Sequence, residues 1–340
     1  MPLRHMLLAT TVAAIWGVNF IAIDLSLRAF PPFLLAALRF GLVAIPTVLL
    51  VRPPAVQWRW VIGYGTGFGL VQFAFLYWGM AAGMPAGLAS LVLQASAPFT
   101  VLLGAVFLKE RLTAPRVAGI GIAIAGLTLV GWQRAEHAAL LPFLLTLAAG
   151  FGWAIGNVSN RRARTTEPFR LMLWMTVIPP VPLMVLSILV EGPGRIGTAL
   201  ATAVTPEGLA PTAGLAFTVV IALLAGSGIW TWLMSRHPAG VVAPFSLLVP
   251  AFGMTSAWLV LGQTVRLSEL VGAVLIVVGV LAGTAGPGSS RPWPRRLIIG
   301  SAPKQGEVRE DSVGADRCVR RDPVRGQSSG RHAPGAVAAG

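Results

Sequence analysis

The sequence predicts an all-α polytopic membrane protein: ten transmembrane helices in two inverted five-helix repeats, followed by a disordered C-terminal tail. Three observations lead there. Of 340 residues, 55% are apolar and 11% charged, whereas a water-facing domain is about a quarter charged. Apolar runs of the ~20 residues that cross a bilayer recur along the chain. The body also compares with itself at an offset of 153 residues. This composition excludes a soluble enzyme, a secreted disulfide scaffold and a disordered regulator. The net charge of +14 would suggest nucleic acid in a soluble chain; here it records where cations sit relative to a bilayer, and no nucleic-acid partner is expected.

The runs fall at roughly 6–27, 33–51, 60–80, 86–107, 114–132, 139–159, 170–190, 211–235, 239–261 and 267–285. Lipid offers the backbone no hydrogen bonds, so each run is a helix. The first begins after Arg4 and continues past Trp16 and Asn19 without a small-residue cleavage site, so it is read as a retained span. Charged or turn residues separate the rest, among them Phe30-Pro31-Pro32, Arg52-Pro53-Pro54, Gly83-Met84-Pro85, Lys109-Glu110-Arg111, Arg134-Ala135-Glu136, Arg161-Arg162-Ala163-Arg164, Glu191-Gly192-Pro193, Arg236-His237-Pro238 and Arg266. With the N-terminus inside, eleven loop cations are cytoplasmic: Arg4, Arg52, Arg59, Lys109, Arg111, Arg116, Arg161, Arg162, Arg164, Arg170 and Arg236. Four (Arg28, Arg134, Arg195, Arg266) are outside. That asymmetry places both termini in the cytoplasm of a multi-pass protein of the cell (inner) membrane.

The tail opens at Arg291-Pro292-Trp293-Pro294-Arg295-Arg296 and holds ten of the 26 basic residues. It lacks the apolar content for a core; a solvated tail is the plain reading and attraction to anionic lipid the sharper one. Cys318 is the single cysteine, and the histidines His5, His137, His237 and His332 are scattered. No disulfide framework, metal site or cofactor is expected.

In the repeat, Pro85-Ala86-Gly87 falls on Pro238-Ala239-Gly240, Phe99 on Phe252, Leu108 on Leu261, Gly119 on Gly272 and Gly126 on Gly279. Pro98 misses Pro250 by one position. Trp16-Gly17-Val18-Asn19 resembles Trp153-Ala154-Ile155-Gly156-Asn157 at a shorter offset. Five spans per copy insert the second copy upside down relative to the first. The expected domains are 1–135, 136–286 and a basic tail, 287–340.

Several stretches resemble the EamA family of the drug/metabolite transporter superfamily. They are Trp16-Gly17-Val18-Asn19-Phe20, Leu38-Arg39-Phe40, Gly83 to Ala95, Pro98-Phe99-Thr100, Glu110-Arg111-Leu112-Thr113 and Val242 to Pro250. The resemblance covers residues 5–285 and is strongest toward members that export cysteine and O-acetylserine. It implies ten helices in two inverted halves, a plasma-membrane location and outward movement of small metabolites. Two departures stand out. The second copy has Gly262-Gln263-Thr264-Val265 where the first has Glu110-Arg111-Leu112, and the first helix carries Asp24 where many relatives carry lysine.

Ionisable groups within spans are functional candidates by default. Arg39 reads either as an anchor for a substrate carboxylate or, the favoured reading, as a structural cation. Asp24 reads as a proton-coupling carboxylate or, more simply, as the i,i+4 partner of Arg28. Trp16 and Asn19 share a face of the first helix. Gly87, Ser90, Gln94 and Pro98 form a thin polar stripe on the fourth, and Pro98 frees a carbonyl one turn back. Gln72, Trp153 with Asn157, and Ser246 with Pro250 complete the set. Each alone reads as interhelical glue; together, from both halves, they read as a cavity wall. Gly63, Gly65, Gly67 and Gly69, Gly152 with Gly156, and Gly119 with Ala123 read as close-packing sites. Trp58 and Trp60 read as interfacial anchors.

The expected function is secondary export of small metabolites, amino acids or derivatives such as cysteine and O-acetylserine, by alternating access. No ATP-binding motif is present, so a gradient, exchange or downhill efflux supplies the energy. The expected partners are a small-molecule substrate, the lipid bilayer and a second copy of the chain. Rival readings are an exporter of other amphipathic metabolites or drugs, a membrane enzyme, for which no nucleophile–base pair is evident, and a non-transporting sensor.

Overall fold

A computed structural model describes residues 1–109, 112–136, 140–237, 239–264 and 266–284. The described residues are helices and short connections. In chain order they are α1 (Leu3–Leu27), α2 (Pro32–Leu50), α3 (58–81), α4 (Ala86–Leu108), α5 (Ala114–Glu136), α6 (Leu140–Ala163), α7 (Pro168–Val190), α8 (Pro193–Thr202), α9 (Pro206–Arg236), α10 (239–261) and α11 (Leu267–Thr284). Eight of these are long and apolar enough to cross a membrane. The expected third span, α3, falls outside that set because its glycines, ring-polar aromatics and Gln72 dilute its hydropathy; the apolar stretch of α11, Leu267–Ala282, is short. The tail lies outside the described residues, as do Glu110, Arg111, His137, Cys318 and His332.

The helices are irregular where the sequence withdraws donors or side chains. α3 passes through a π-helical turn at Gly65–Val71, in a glycine-rich stretch. A second π turn occupies Phe217–Gly226 of α9. α4 tightens to 3-10 geometry at Leu93–Ala95, so the expected Gly87–Pro98 stripe is not a single regular helix. Pro98 explains the break, because it cannot donate to the Gln94 carbonyl. α10 does the same at Ala243–Leu247, ahead of Pro250. The expected span 170–190 is also broken: helix stops at Met175 and restarts at Pro180, across Pro179 and Pro180. The stretch expected as a loop after Glu191 contains α8, with Ala199 buried and Leu200 exposed.

These irregularities recur at the 153-residue offset. The π turn of α3, shifted by that offset, falls inside the π turn of α9. α4 ends at Lys109 with φ 55°, and α10 ends at Gly262 with φ 65°, both in the left-handed region. The packing partners exchange in the same way: α6 lies against α3 and α4, while α1 lies against α9 and α10. α5 packs along α11. A Cβ on Gly126 would meet the Gly272 carbonyl at 2.8 Å, and one on Gly279 would meet the Gly119 carbonyl at 2.6 Å. Gly126 corresponds to Gly279, and Gly119 to Gly272, so the contacts are reciprocal.

The other small residues act as expected. A Cβ on Gly67 would lie 2.5 Å from Gly156 N, one on Gly152 2.8 Å from Gln72 N, and one on Gly65 2.6 Å from Ile178 Cβ. The α3–α6 contact is thus backbone to backbone, the close approach small residues permit in lipid. Trp58 is exposed and edge-on to Trp174, while Arg59 lies over Trp60.

Candidate functional site

The four irregular turns position the candidate residues. Trp153 on α6 sits edge-on to Phe68, inside the π turn of α3, with ring centroids 6.0 Å apart. Trp16 on α1 reaches the other π turn, donating Nε1–H to the Ala222 carbonyl at 3.1 Å. It also packs on Trp230, centroid to centroid 5.2 Å. A Cβ on Gly226 would approach Trp16 Nε1 to 2.9 Å, so a glycine there makes room for the indole. A π turn leaves backbone carbonyls partly unpaired, and an indole N–H is a suitable donor to one.

The two 3-10 turns meet directly. Pro250 has no N–H for the Ser246 carbonyl, its i−4 acceptor. Gln94 supplies the missing donor, with Nε2 3.2 Å from Ser246 O. The polar stripe of α4 and the proline break of α10 are therefore one junction. Ser90 lies beside it, its hydroxyl donated to Gly87 O at 2.6 Å and pressed close to Gly253. On the other flank Asn157 donates Nδ2–H to Thr100 Oγ1 at 3.1 Å, directly after Pro98-Phe99 on α4.

Arg39 is 4% exposed. Its Nη1 donates to Tyr77 Oη at 2.9 Å, and its guanidinium lies 4.2 Å from the Phe73 ring centroid and 5.8 Å from that of Phe40. No carboxylate pairs with it among the described residues. Phe73 touches Phe68, which touches Trp153. An aromatic chain thus links Arg39 on α2 to Trp153 on α6. Asp24, in contrast, pairs locally with Arg28 at 3.4 Å near the surface, as the simpler reading expects.

Three buried polar atoms in this region lack a hydrogen-bond partner: Asn19 Oδ1, Gln72 Oε1 and Arg39 Nε. Leaving such a group unpaired costs about 1–3 kcal/mol. The sequence reading missed the groups that hold these residues in place: Tyr77, Phe73, Phe68 and Trp230 look like ordinary apolar filling from spacing alone. It also missed Glu191, read only as a break. Its carboxylate accepts the Phe33 and Leu34 amides at 2.7 and 3.1 Å and the Ser187 hydroxyl at 2.6 Å. Pro31 and Pro32 have no N–H, so these are the first free donors of α2. At the departure noted in the second copy, Gln263 Oε1 accepts Gly87 N–H at 3.3 Å, capping the first turn of α4. The histidines are not all scattered either, for His5 and His237 are hydrogen-bonded.

Long apolar helices, broken and glycine-packed around buried polar side chains, define a multi-pass membrane protein. Comparison with known proteins fixes its kind. The EamA-like transporter family matches residues 3–132 and again 140–283, and the chain belongs to that family. It is 41% identical over 285 residues to a probable amino-acid metabolite efflux pump of Salmonella typhimurium, covering 82% of this chain and 94% of the relative. The protein of the same description from Escherichia coli K12 is 39% identical over 307 residues, covering 88% and 100%. A probable terminal-alkyne amino-acid exporter of Streptantibioticus cattleyicolor is 30% identical over 223 residues, covering 64% and 69%.

Proposed function

We propose that the chain exports small amino-acid metabolites, cysteine and O-acetylserine among them, across the cell membrane by alternating access. The site lies between two inverted five-helix halves, residues 1–135 and 136–286, with both termini cytoplasmic and the basic segment 287–340 after them. The observation that carries this reading is the duplicated set of helix breaks with its exchanged tryptophans. Each half supplies a π turn and a 3-10 turn ahead of a proline, and a helix of the other half covers them. Broken helices of this kind expose backbone polar groups only where protein or a watery cavity can meet them.

The groups present suit an α-amino acid. Asn19 Oδ1 and Gln72 Oε1 are acceptors for an ammonium group, and the Arg39 guanidinium is a donor for a carboxylate. Trp16 and Trp153 supply apolar walls. Gln94, Ser246 and Pro250 form the junction that must flex as the halves rock. Ser90, Pro98 and Asn157 line its flanks. The pairing of Asp24 with Arg28 supports a local role for that carboxylate. The same walls accommodate other amphipathic metabolites, and the S. cattleyicolor relative, described as exporting an alkyne amino acid, favours that wider range.

Uptake into everted membrane vesicles tests the reading. Vesicles carrying the wild-type chain accumulate labelled O-acetylserine or cysteine, and vesicles carrying Gln94→Leu do not. Equal accumulation by empty-vector vesicles removes the proposed cargo.

A further inference from the structure

His5, in the first turn of α1, and His237, which follows α9, are 232 residues apart, yet their rings are bonded Nδ1 to Nε2 at 2.7 Å. Beneath them lies a small apolar cluster separate from the main core: Ala9, Leu233 and Val242, fully buried, with Trp230, Trp232 and Phe245 packed on it. Trp232 is edge-on to His5, with centroids 5.1 Å apart, and the Arg236 guanidinium covers its other side at 4.3 Å from the ring centroid. Trp230 in turn packs on Trp16. One cluster therefore ties α1 to α9 and α10 at this end of the bundle and touches the candidate site.

We propose that the His5–His237 pair is a proton-binding site that latches this end of the bundle and releases it when both rings are protonated. A ring-to-ring hydrogen bond needs one N–H and one bare nitrogen. A second proton removes the acceptor and leaves two N–H groups, each on a cation, facing one another. The other charges that face His5 are Arg4 and the N-terminal amine on the side of α1 and Arg236 on the side of α9, all positive. From α10 the apolar Val242 and Phe245 join the cluster. Among the described residues, the charges facing His5 are all positive, so the pair and its charged neighbours repel together. The apolar patch that remains beneath them is small. The latch thus opens once both rings hold a proton, and α1 carries Trp16 with it. The consequence for export rests on the transporter reading above; the opening itself does not.

The test uses the full chain with Cys318→Ser, in lipid nanodiscs so that both faces meet the same buffer. One cysteine is placed under the latch, as Val242→Cys or, independently, Ala9→Cys. Maleimide labelling is followed from about pH 8 down to about pH 4, past the range in which an isolated histidine charges, each rate divided by that of the denatured protein at the same pH. The expected result is slow labelling at the alkaline end and a several-fold faster normalised rate at the acid end. His5→Gln with His237→Gln, which keeps neutral hydrogen-bonding side chains, abolishes the rise. A flat profile in the histidine background overturns the proposal, as does a rise that survives the double substitution. Flat labelling beside intact vesicle accumulation sinks the latch alone; pH-dependent labelling without accumulation sinks the exporter alone.

Discussion

Glu191 is 7% exposed and has no cationic partner among the described residues, yet both its oxygens are engaged by the first turn of α2 and by Ser187. A carboxylate at a helix N-terminus meets free amides and the positive end of the helix dipole. Glu191→Ala leaves two buried amides without acceptors and costs about 2–4 kcal/mol on the scale of unpaired buried donors. Glu191→Gln keeps one acceptor and retains about half of that stability. Thermal unfolding in detergent separates the two variants. Arg39 calls for a different substitution. Its planar guanidinium stacks on Phe73 while donating to Tyr77, and an ammonium cannot do both. Arg39→Lys therefore lowers export nearly as far as Arg39→Gln, measured as initial uptake into everted vesicles at matched protein levels. Equal export by wild type and Arg39→Lys would assign the residue to bulk charge alone.

At the scale of the helix, the end of α4 and the end of α10 offer a matched pair. Lys109 and Gly262 both sit in the left-handed region, where a side chain costs roughly 1 kcal/mol and glycine none. Gly262→Ala lowers stability by about that amount, and Lys109→Gly does not lower it. The α3–α6 crossing tolerates less. A methyl on Gly156 would stand 2.6 Å from Phe68 Cβ and 2.8 Å from Phe68 N. Gly156→Ala must move backbone, at a cost of ~1–3 kcal/mol, and it displaces the π turn on which Trp153 rests. The expected outcome is a lowered melting temperature together with reduced export. Elements of this kind were partly legible in the sequence. Apolar length marked the helices, and glycine spacing marked the close crossings, because both are set by local composition. The π turns, the split in α7 and the short α8 were not legible, since hydrogen-bond register depends on packing from distant helices. The candidate site divides along the same line. Trp16, Asn19, Arg39, Gln72 and Gln94 stood out as costly residues in an apolar run. Tyr77, Phe68, Glu191 and the two bonded histidines did not, for their roles come from partners between 38 and 232 residues away.

Across the whole molecule, the proposed duplication makes a prediction about the tail. Its basic residues lie beyond the last stretch matched to the family, which ends at residue 283. Deleting residues 290–340 leaves vesicle accumulation unchanged if the two halves alone carry transport. Loss of transport in a deletion variant that still reaches the membrane would assign the tail a working role.

The reciprocal glycine contacts between α5 and α11 bear on synthesis as well. Each strip of that seam matches the other, so a freshly made α5 also fits the α5 of a neighbouring copy until its own α11 has been inserted. A bulky side chain at Gly126 or Gly279 would meet the facing backbone and block closure of that seam from either strip.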